Sequence, residues 1–202
     1  MSDHPTAPVT PRPAASLVVL RQASGPEVLM GMRGAKHRFM PNRLVYPGGA
    51  VDEADHTAPH ATPLRPDVQR RLEKSATPSL ARALAIAAAR ELHEETGLSL
   101  GAPPALDGLD YLCRAVTPPA SPVRFDAHFL VVDAARVSGT LAGSGELEDL
   151  RWFGIAEALA LDLALPTRGV LERLQGWMTM TEAERRAQTV VYGLYNRQWV
   201  EE

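Results

Sequence analysis

Arg90-Glu91-Leu92-His93-Glu94-Glu95-Thr96-Gly97-Leu98 is the stretch that decides how this chain reads. Glu91, Glu94 and Glu95 stand at i, i+3 and i+4, positions that share one face of a helix. Like charges this close repel, so the arrangement costs stability unless a cation sits among them. Hard divalent ions such as Mg2+ bind carboxylate oxygens and keep several waters for a phosphate ligand. The opposite face, Leu84, Ala85, Ala88 and Leu92, is apolar, and Gly97 offers a left-handed cap. The spacing predicts a buried helix from about Ser79 to Thr96 that presents an acidic, metal-binding edge. Taken alone, a carboxylate cluster on a helix is more often plain solvated surface, so the neighbouring residues have to decide.

Upstream lies Tyr46-Pro47-Gly48-Gly49-Ala50-Val51-Asp52-Glu53-Ala54-Asp55, whose paired glycines let the backbone approach a ligand closely. Together the two stretches resemble the Nudix box. Its pattern is a glycine, five residues, an acid, seven residues, then Arg-Glu-apolar-x-Glu-Glu-x-Gly-apolar. Arg90 to Leu98 matches every fixed position of the second half, and Gly49 takes the family glycine. Asp55 stands where the family usually has Glu, and this shorter acid leaves its role open. The interval before Arg90 runs from His56 to Ala89, far longer than the family's seven residues. Pro59, Pro63, Pro66 and Pro78 exclude a continuous helix there, although one short helix fits Pro66 to Lys74. An insertion over about residues 56–78 is expected to loop out of the central domain, to shape the substrate entrance or a subunit contact, and to be removable without unfolding. With Arg38-Phe39-Met40-Pro41-Asn42, and Thr117-Pro118 followed by Arg124-Phe125-Asp126, the chain is similar to the Nudix subgroup that includes peroxisomal coenzyme A diphosphatases.

The resemblance implies an α/β fold, a Nudix-type α/β/α sandwich with a central mixed sheet. It implies metal-dependent hydrolysis of a diphosphate linkage in a nucleoside diphosphate derivative, with coenzyme A or an acyl-CoA as the leading substrate. The alternative is a non-catalytic nucleotide-binding or sensing module. Mg2+ or Mn2+ would be held by Glu91, Glu94, Glu95 and a carbonyl at the Gly49 turn. Arg90 would hold these carboxylates in place or contact substrate phosphate. Glu146, in the loop before Trp152, would join the metal site or act as base, with Glu148 and Asp149 as alternatives. Arg33, Lys36 and Arg38 could hold a distal phosphate or a 3′-phosphate, or could form a solvated loop. His128 reads as a satisfied core or edge histidine.

Composition agrees with one domain over residues 15–202 behind a polar, proline-rich, disordered tail at 1–14. A net charge of −3 offers no basic field for nucleic acid. Cys113 is the sole cysteine, which excludes an intrachain disulfide and suits a reducing, cytoplasmic setting. No secretory signal pattern or bilayer-length apolar run is present. The expected partner is a small nucleotide, with no nucleic acid, no membrane, and a homodimer left open. Strands are expected at 16–21, 27–32, 43–46, 111–116, 125–132 and 150–153. Helices are expected at 155–161 and 167–175, with a capping box from Thr181 to Glu184.

Overall fold

The apolar run from Leu17 to Leu20 suits a strand covered on both faces, because successive side chains point to opposite sides of a sheet. The computed structural model describes residues 9–34 and 42–202 and places this strand inside a sheet. In chain order the strands are β1 (Arg12–Gln22), β2 (Pro26–Arg33), β3 (Leu44–Val45), β4 (Gly48–Ala50), β5 (Leu98–Ser99), β6 (Asp110–Val116), β7 (Phe125–Asp133), β8 (Ser138–Gly139), β9 (Leu147–Gly154), β10 (Tyr192–Tyr195) and β11 (Gln198–Glu201). The helices are α1 (Pro66–Leu72), α2 (Pro78–Thr96), α3 (Ile155–Leu159), α4 (Leu165–Met178) and α5 (Glu182–Ala187).

The main sheet runs β11-β10-β6-β7-β1-β2-β3, with β4 also paired to β1 and β9 also paired to β2. β1 is parallel to β7 and β10 is parallel to β6, whereas the other neighbours are antiparallel, so the sheet is mixed. Alternation along β1 divides the core. Ala15, Leu17 and Val19 pack with Val68, Leu72, Leu84 and Leu92 from α1 and α2. Val18, with Val28 and Met30 of β2, packs with Ile155, Val170 and Leu171 from α3 and α4. Two helical layers therefore enclose one mixed sheet, the α/β/α arrangement expected. Among the described residues no helix is long and apolar enough to cross a membrane.

The helix α2 carries the decisive motif, and its ends are fixed locally. Thr77 accepts a hydrogen bond from the Leu80 backbone N–H at 3.2 Å, and Pro78 occupies the first turn, so the cap lies two residues before the expected Ser79. At the other end Gly97 has φ 72° and its N–H reaches the His93 carbonyl at 2.9 Å. Leu84, Ala85, Ala88 and Leu92 are all buried.

Two expectations are corrected. The tail was expected to extend through Ala14, but β1 begins at Arg12, and residues 12–14 pair with residues 125–127 of β7; residues 1–8 lie outside the described residues. The insertion was expected outside the sandwich, yet Leu64, Val68 and Leu72 are buried in the core at i, i+4 and i+8. Arg71, 3% exposed, donates to the Asp110 carboxylate at 2.5 Å and the Tyr111 carbonyl at 2.7 Å, tying α1 to β6. Proline breaks a helix without preventing a short amphipathic piece from covering a sheet face. Strands β10 and β11 were not anticipated at all.

Leu72→Ala should therefore cost about 2–5 kcal/mol in urea unfolding, as core truncations do, and deletion of residues 56–78 should abolish the cooperative transition. A loss below about 1 kcal/mol for Leu72→Ala would place α1 outside the core. His128 supplies a pH test. It is buried, its Nδ1 lies 3.0 Å from the Tyr111 hydroxyl, and burial pushes its pKa from 6.5 down to about 4, with Asp126 opposing. The neutral ring is the folded form, so its contribution is complete above pH 6.5 and is lost as pH falls towards 4. His128→Asn should flatten the fall in stability between pH 6.5 and 5, measured by urea midpoints.

Candidate active site

The carboxylates of α2 are organised by the residue that precedes them. Arg90 donates from Nε to Asp55 Oδ1 at 3.0 Å and from Nη2 to Asp55 Oδ2 at 3.0 Å and to the Ala50 carbonyl at 3.0 Å. From Nη1 it donates to Glu91 Oε1 at 2.8 Å and to Glu94 Oε2 at 3.0 Å. A guanidinium has five N–H donors, and these contacts occupy all of them, leaving none for a substrate. Asp55 lies in the 3-10 turn Glu53–His56, only 2% exposed, and its Oδ2 also accepts from the Asp52 backbone N–H at 2.8 Å. The shorter acid thus caps its own turn and grips Arg90, and the Arg90 guanidinium is pushed further up in pKa, by Asp55 first.

Glu91 and Glu95 meet the glycine turn. A Cβ on Gly49 would fall on the Glu91 carboxylate, so only glycine admits this approach. Burial raises the Glu91 pKa; Arg90 opposes, and Glu94 and Glu146 add repulsion. Glu95 is 1% exposed. Its Oε2 accepts from the Gly48 N–H at 2.8 Å, and its Oε1 is buried with no hydrogen-bond partner. Burial pushes its pKa to about 8, against the Gly48 N–H and Arg33 and with help from Glu91 and Glu146. Glu94 faces outward, its side chain 55% exposed, and its carboxylate bonds to Arg90.

The three acids are therefore not drawn into one ligand set, and no group of three His, Cys, Asp or Glu among the described residues is arranged to hold a metal. The residues nevertheless fit a divalent cation. Glu95 Oε1 is an orphaned buried oxygen, Glu91 sits in a cradle that a Cβ at Gly49 would fill, and both are oxygen donors of the kind hard cations select.

A cavity of about 590 Å3 opens beside Glu91, and neither Glu94 nor Glu95 lines it. Glu91, Gly49 and Glu146 line it together with Tyr46, Phe129 and Thr167. Tyr46 meets Phe129 edge-on at 6.1 Å between centroids and donates its hydroxyl to the Thr167 carbonyl at 3.3 Å. Of the three loop acids, Glu146 lines the cavity and Glu148 and Asp149 do not. Arg33 lines it and its Nη2 lies 3.5 Å from the Gly48 carbonyl; Lys36 and Arg38 fall outside the described residues. Arg12 and Arg197 also line it and were missed. The available signal for Arg197 was a two-residue turn between Tyr192–Tyr195 and Gln198–Glu201, both aromatic-bearing runs.

Residues 81–174 match the model of the NUDIX domain. No curated protein matches the sequence. Among solved structures, a NUDIX hydrolase from Alicyclobacillus acidocaldarius is 26% identical, with TM-score 0.63 over 81% of this chain and 90% of that one. A MutT NUDIX hydrolase from Burkholderia pseudomallei is 23% identical, with TM-score 0.54 over 82% of this chain and 99% of that one, a likeness of fold. The NUDIX domain of Shewanella oneidensis NrtR, complexed with ADP ribose, is 15% identical, with TM-score 0.51 over 88% and 99% of the two chains, again a likeness of fold. The domain match and the Alicyclobacillus acidocaldarius structure support a Nudix hydrolase.

Asp55→Asn keeps the shape of the side chain and removes its charge. It should cost on the order of 1–3 kcal/mol in urea unfolding, the range for a hydrogen-bonded charged group, and should lower activity by freeing Arg90. Unchanged stability and rate would show that Asp55 does not hold the guanidinium.

Proposed function

We propose that this Nudix hydrolase cleaves a diphosphate linkage in a nucleoside diphosphate derivative, with Mg2+ or Mn2+ held by Glu91, Glu94, Glu95 and the Gly49 turn. The observation that carries the reading is Glu95, a buried carboxylate with one oxygen on the Gly48 N–H and the other unpaired. An acid in that state is costly to ionise, and a cation is the partner that makes the ionised form favourable. When bound, the cation neutralises diphosphate charge and lowers the pKa of an attacking water.

The chain's own groups do the rest. Arg90 fixes Glu91 and Glu94 through Nη1 while Asp55 and the Ala50 carbonyl fix Arg90. The Gly48 N–H orients Glu95. The Glu146 carboxylate lines the cavity, has no side-chain partner among the described residues, and takes the proton of the attacking water. The aromatic and aliphatic wall of Tyr46, Phe125, Phe129 and Leu165 receives the nucleoside and excludes water around the reacting phosphorus. The products are a nucleoside monophosphate and a phosphorylated remainder.

Coenzyme A or an acyl-CoA is the substrate placed first. Support comes from the insertion within the box and from Thr117, Pro118 and Phe125, which belong to the resembling segments and line the cavity. A cytoplasmic setting is proposed from Cys113, a lone buried cysteine whose thiol burial pushes up to about 12 in pKa. The test is a hydrolysis screen with Mg2+ and Mn2+ over coenzyme A, acyl-CoA, ADP-ribose, NADH, dinucleoside polyphosphates and nucleoside triphosphates. Saturable binding without turnover of any of them would overturn the catalytic reading. Turnover of ADP-ribose far above coenzyme A would overturn the substrate alone. Glu95→Gln should lower the rate on the order of 10²-fold or more, as loss of a transition-state charge contact does. Its metal-free melting temperature should stay level at neutral pH, where burial already holds Glu95 mostly protonated, and rise above that of the parent at pH 8 and higher, where the parent must carry the buried charge. Near-parental turnover at saturating metal would remove Glu95 from the site.

A further inference from the structure

Most arginines flanking this fold's acids are committed to carboxylates: Arg65 and Arg71 to Asp67 and Asp110, Arg90 to Asp55, Arg114 to Asp126. Arg12 and Arg197 differ. Both line the cavity, and neither side chain has a hydrogen bond, ion pair or ring contact among the described residues. The sheet brings them to one end. Arg12 starts β1 opposite Phe125, the start of the parallel strand β7. Val116 ends β6 opposite Asp126, and Tyr195 ends β10 opposite Val116. Arg197 follows two residues later, at the β10–β11 turn.

That end is remote from the acids. Gly49 pairs with Ala15, three residues along β1 from Arg12 and so about 10 Å away at the usual strand rise. Arg12, Ala14 and Ser16 alternate onto the same face, and all three line the cavity, so the wall is continuous from one end to the other. Asn196 and Arg197 hold φ values of 47° and 70°, the left-handed geometry of a tight hairpin turn. Side chains other than glycine, asparagine and aspartate seldom adopt it, so Arg197 occupies a position where its side chain is disfavoured by the backbone. The cavity thus has Glu91 and Glu146, with Arg33 beside them at the Gly48 turn, at one end and only cationic side chains, Arg12 and Arg197, among the charged lining residues of the other.

We infer that Arg12 and Arg197 form a specificity site for a phosphate monoester carried by the substrate outside the diphosphate that is cut. This rests on the proposed hydrolysis of a nucleoside diphosphate derivative and narrows it to substrates with a third, remote phosphate. Guanidinium groups suit that task because their planar donors pair with phosphate oxygens through charge-assisted bonds. The pair selects between substrates that share one diphosphate and differ only in the extra phosphate.

Calorimetry with adenosine 3′,5′-bisphosphate and with AMP, on the parent chain, Arg12→Ala, Arg197→Ala and the double variant, tests the assignment. Both side chains are exposed, so the fold should survive, and circular dichroism checks it. The parent should bind the bisphosphate at least about tenfold tighter than AMP, and each substitution should remove most of that difference while changing AMP binding less than about threefold. Equal affinity of the parent for both nucleotides, or equal losses on both in the variants, overturns the inference. Hydrolysis of coenzyme A against dephospho-coenzyme A gives the same comparison in kcat/KM. Failure to hydrolyse either would sink the coenzyme A substrate reading, and the calorimetry would still decide the arginine pair.

Discussion

One guanidinium stands where four carboxylates would otherwise repel one another. Arg90 touches Asp55, Glu91 and Glu94 and lies 3.7 Å from Asp52. Asp55 and Arg90 are 35 residues apart in sequence, so this contact closes the glycine turn onto α2 across the whole insertion. A lysine would carry the same charge, but its three donors on a point-like head could not serve the planar carboxylate of Asp55, the Ala50 carbonyl and two glutamates at once. The placement of Gly48 and Gly49 against Glu91 and Glu95 follows from that closure.

Glu95 shows the opposite condition. It receives one N–H and is otherwise enclosed by protein, in a site where Arg90 is already fully engaged. Stability is therefore concentrated on one side of the carboxylate cluster and withheld on the other. Proteins commonly retain such unfavourable groups where they act, and the large core on both sheet faces carries the cost.

The helix α2 was legible because burial on one face leaves a 3.6-residue pattern and because Gly97 ends it chemically. β1 was legible as a strand from the apolar run Leu17 to Leu20. The role of Asp55 was not, since it depends on a partner 35 residues away. The packing of the insertion was not legible, because its prolines mask a helix of only two turns whose buried face is Val68 and Leu72, with Leu64 added from the preceding loop. The terminal hairpin carries only a weak signal, for a different reason. β10 and the edge strand β11 have only four residues each and carry little alternation, and Asn196-Arg197 lacks the glycine that usually marks such a turn. The missed cavity arginines follow from that omission, because one sits on the hairpin and the other at the start of a strand assigned to the tail.

The parallel pairing of β1 with β7 and of β10 with β6 gives the molecule a temporal property as well as a spatial one. A chain emerging from the ribosome can lay down β1, the glycine turn and α2 early, and with them the acidic cluster. The wall contributed by Leu165, Thr167, Leu194 and Arg197 arrives only with the last part of the sequence. A nascent chain therefore displays its carboxylates before it owns a pocket, and an N-terminal fragment that keeps the entire acidic motif would still lack the enclosure in which that motif can discriminate one nucleotide from another.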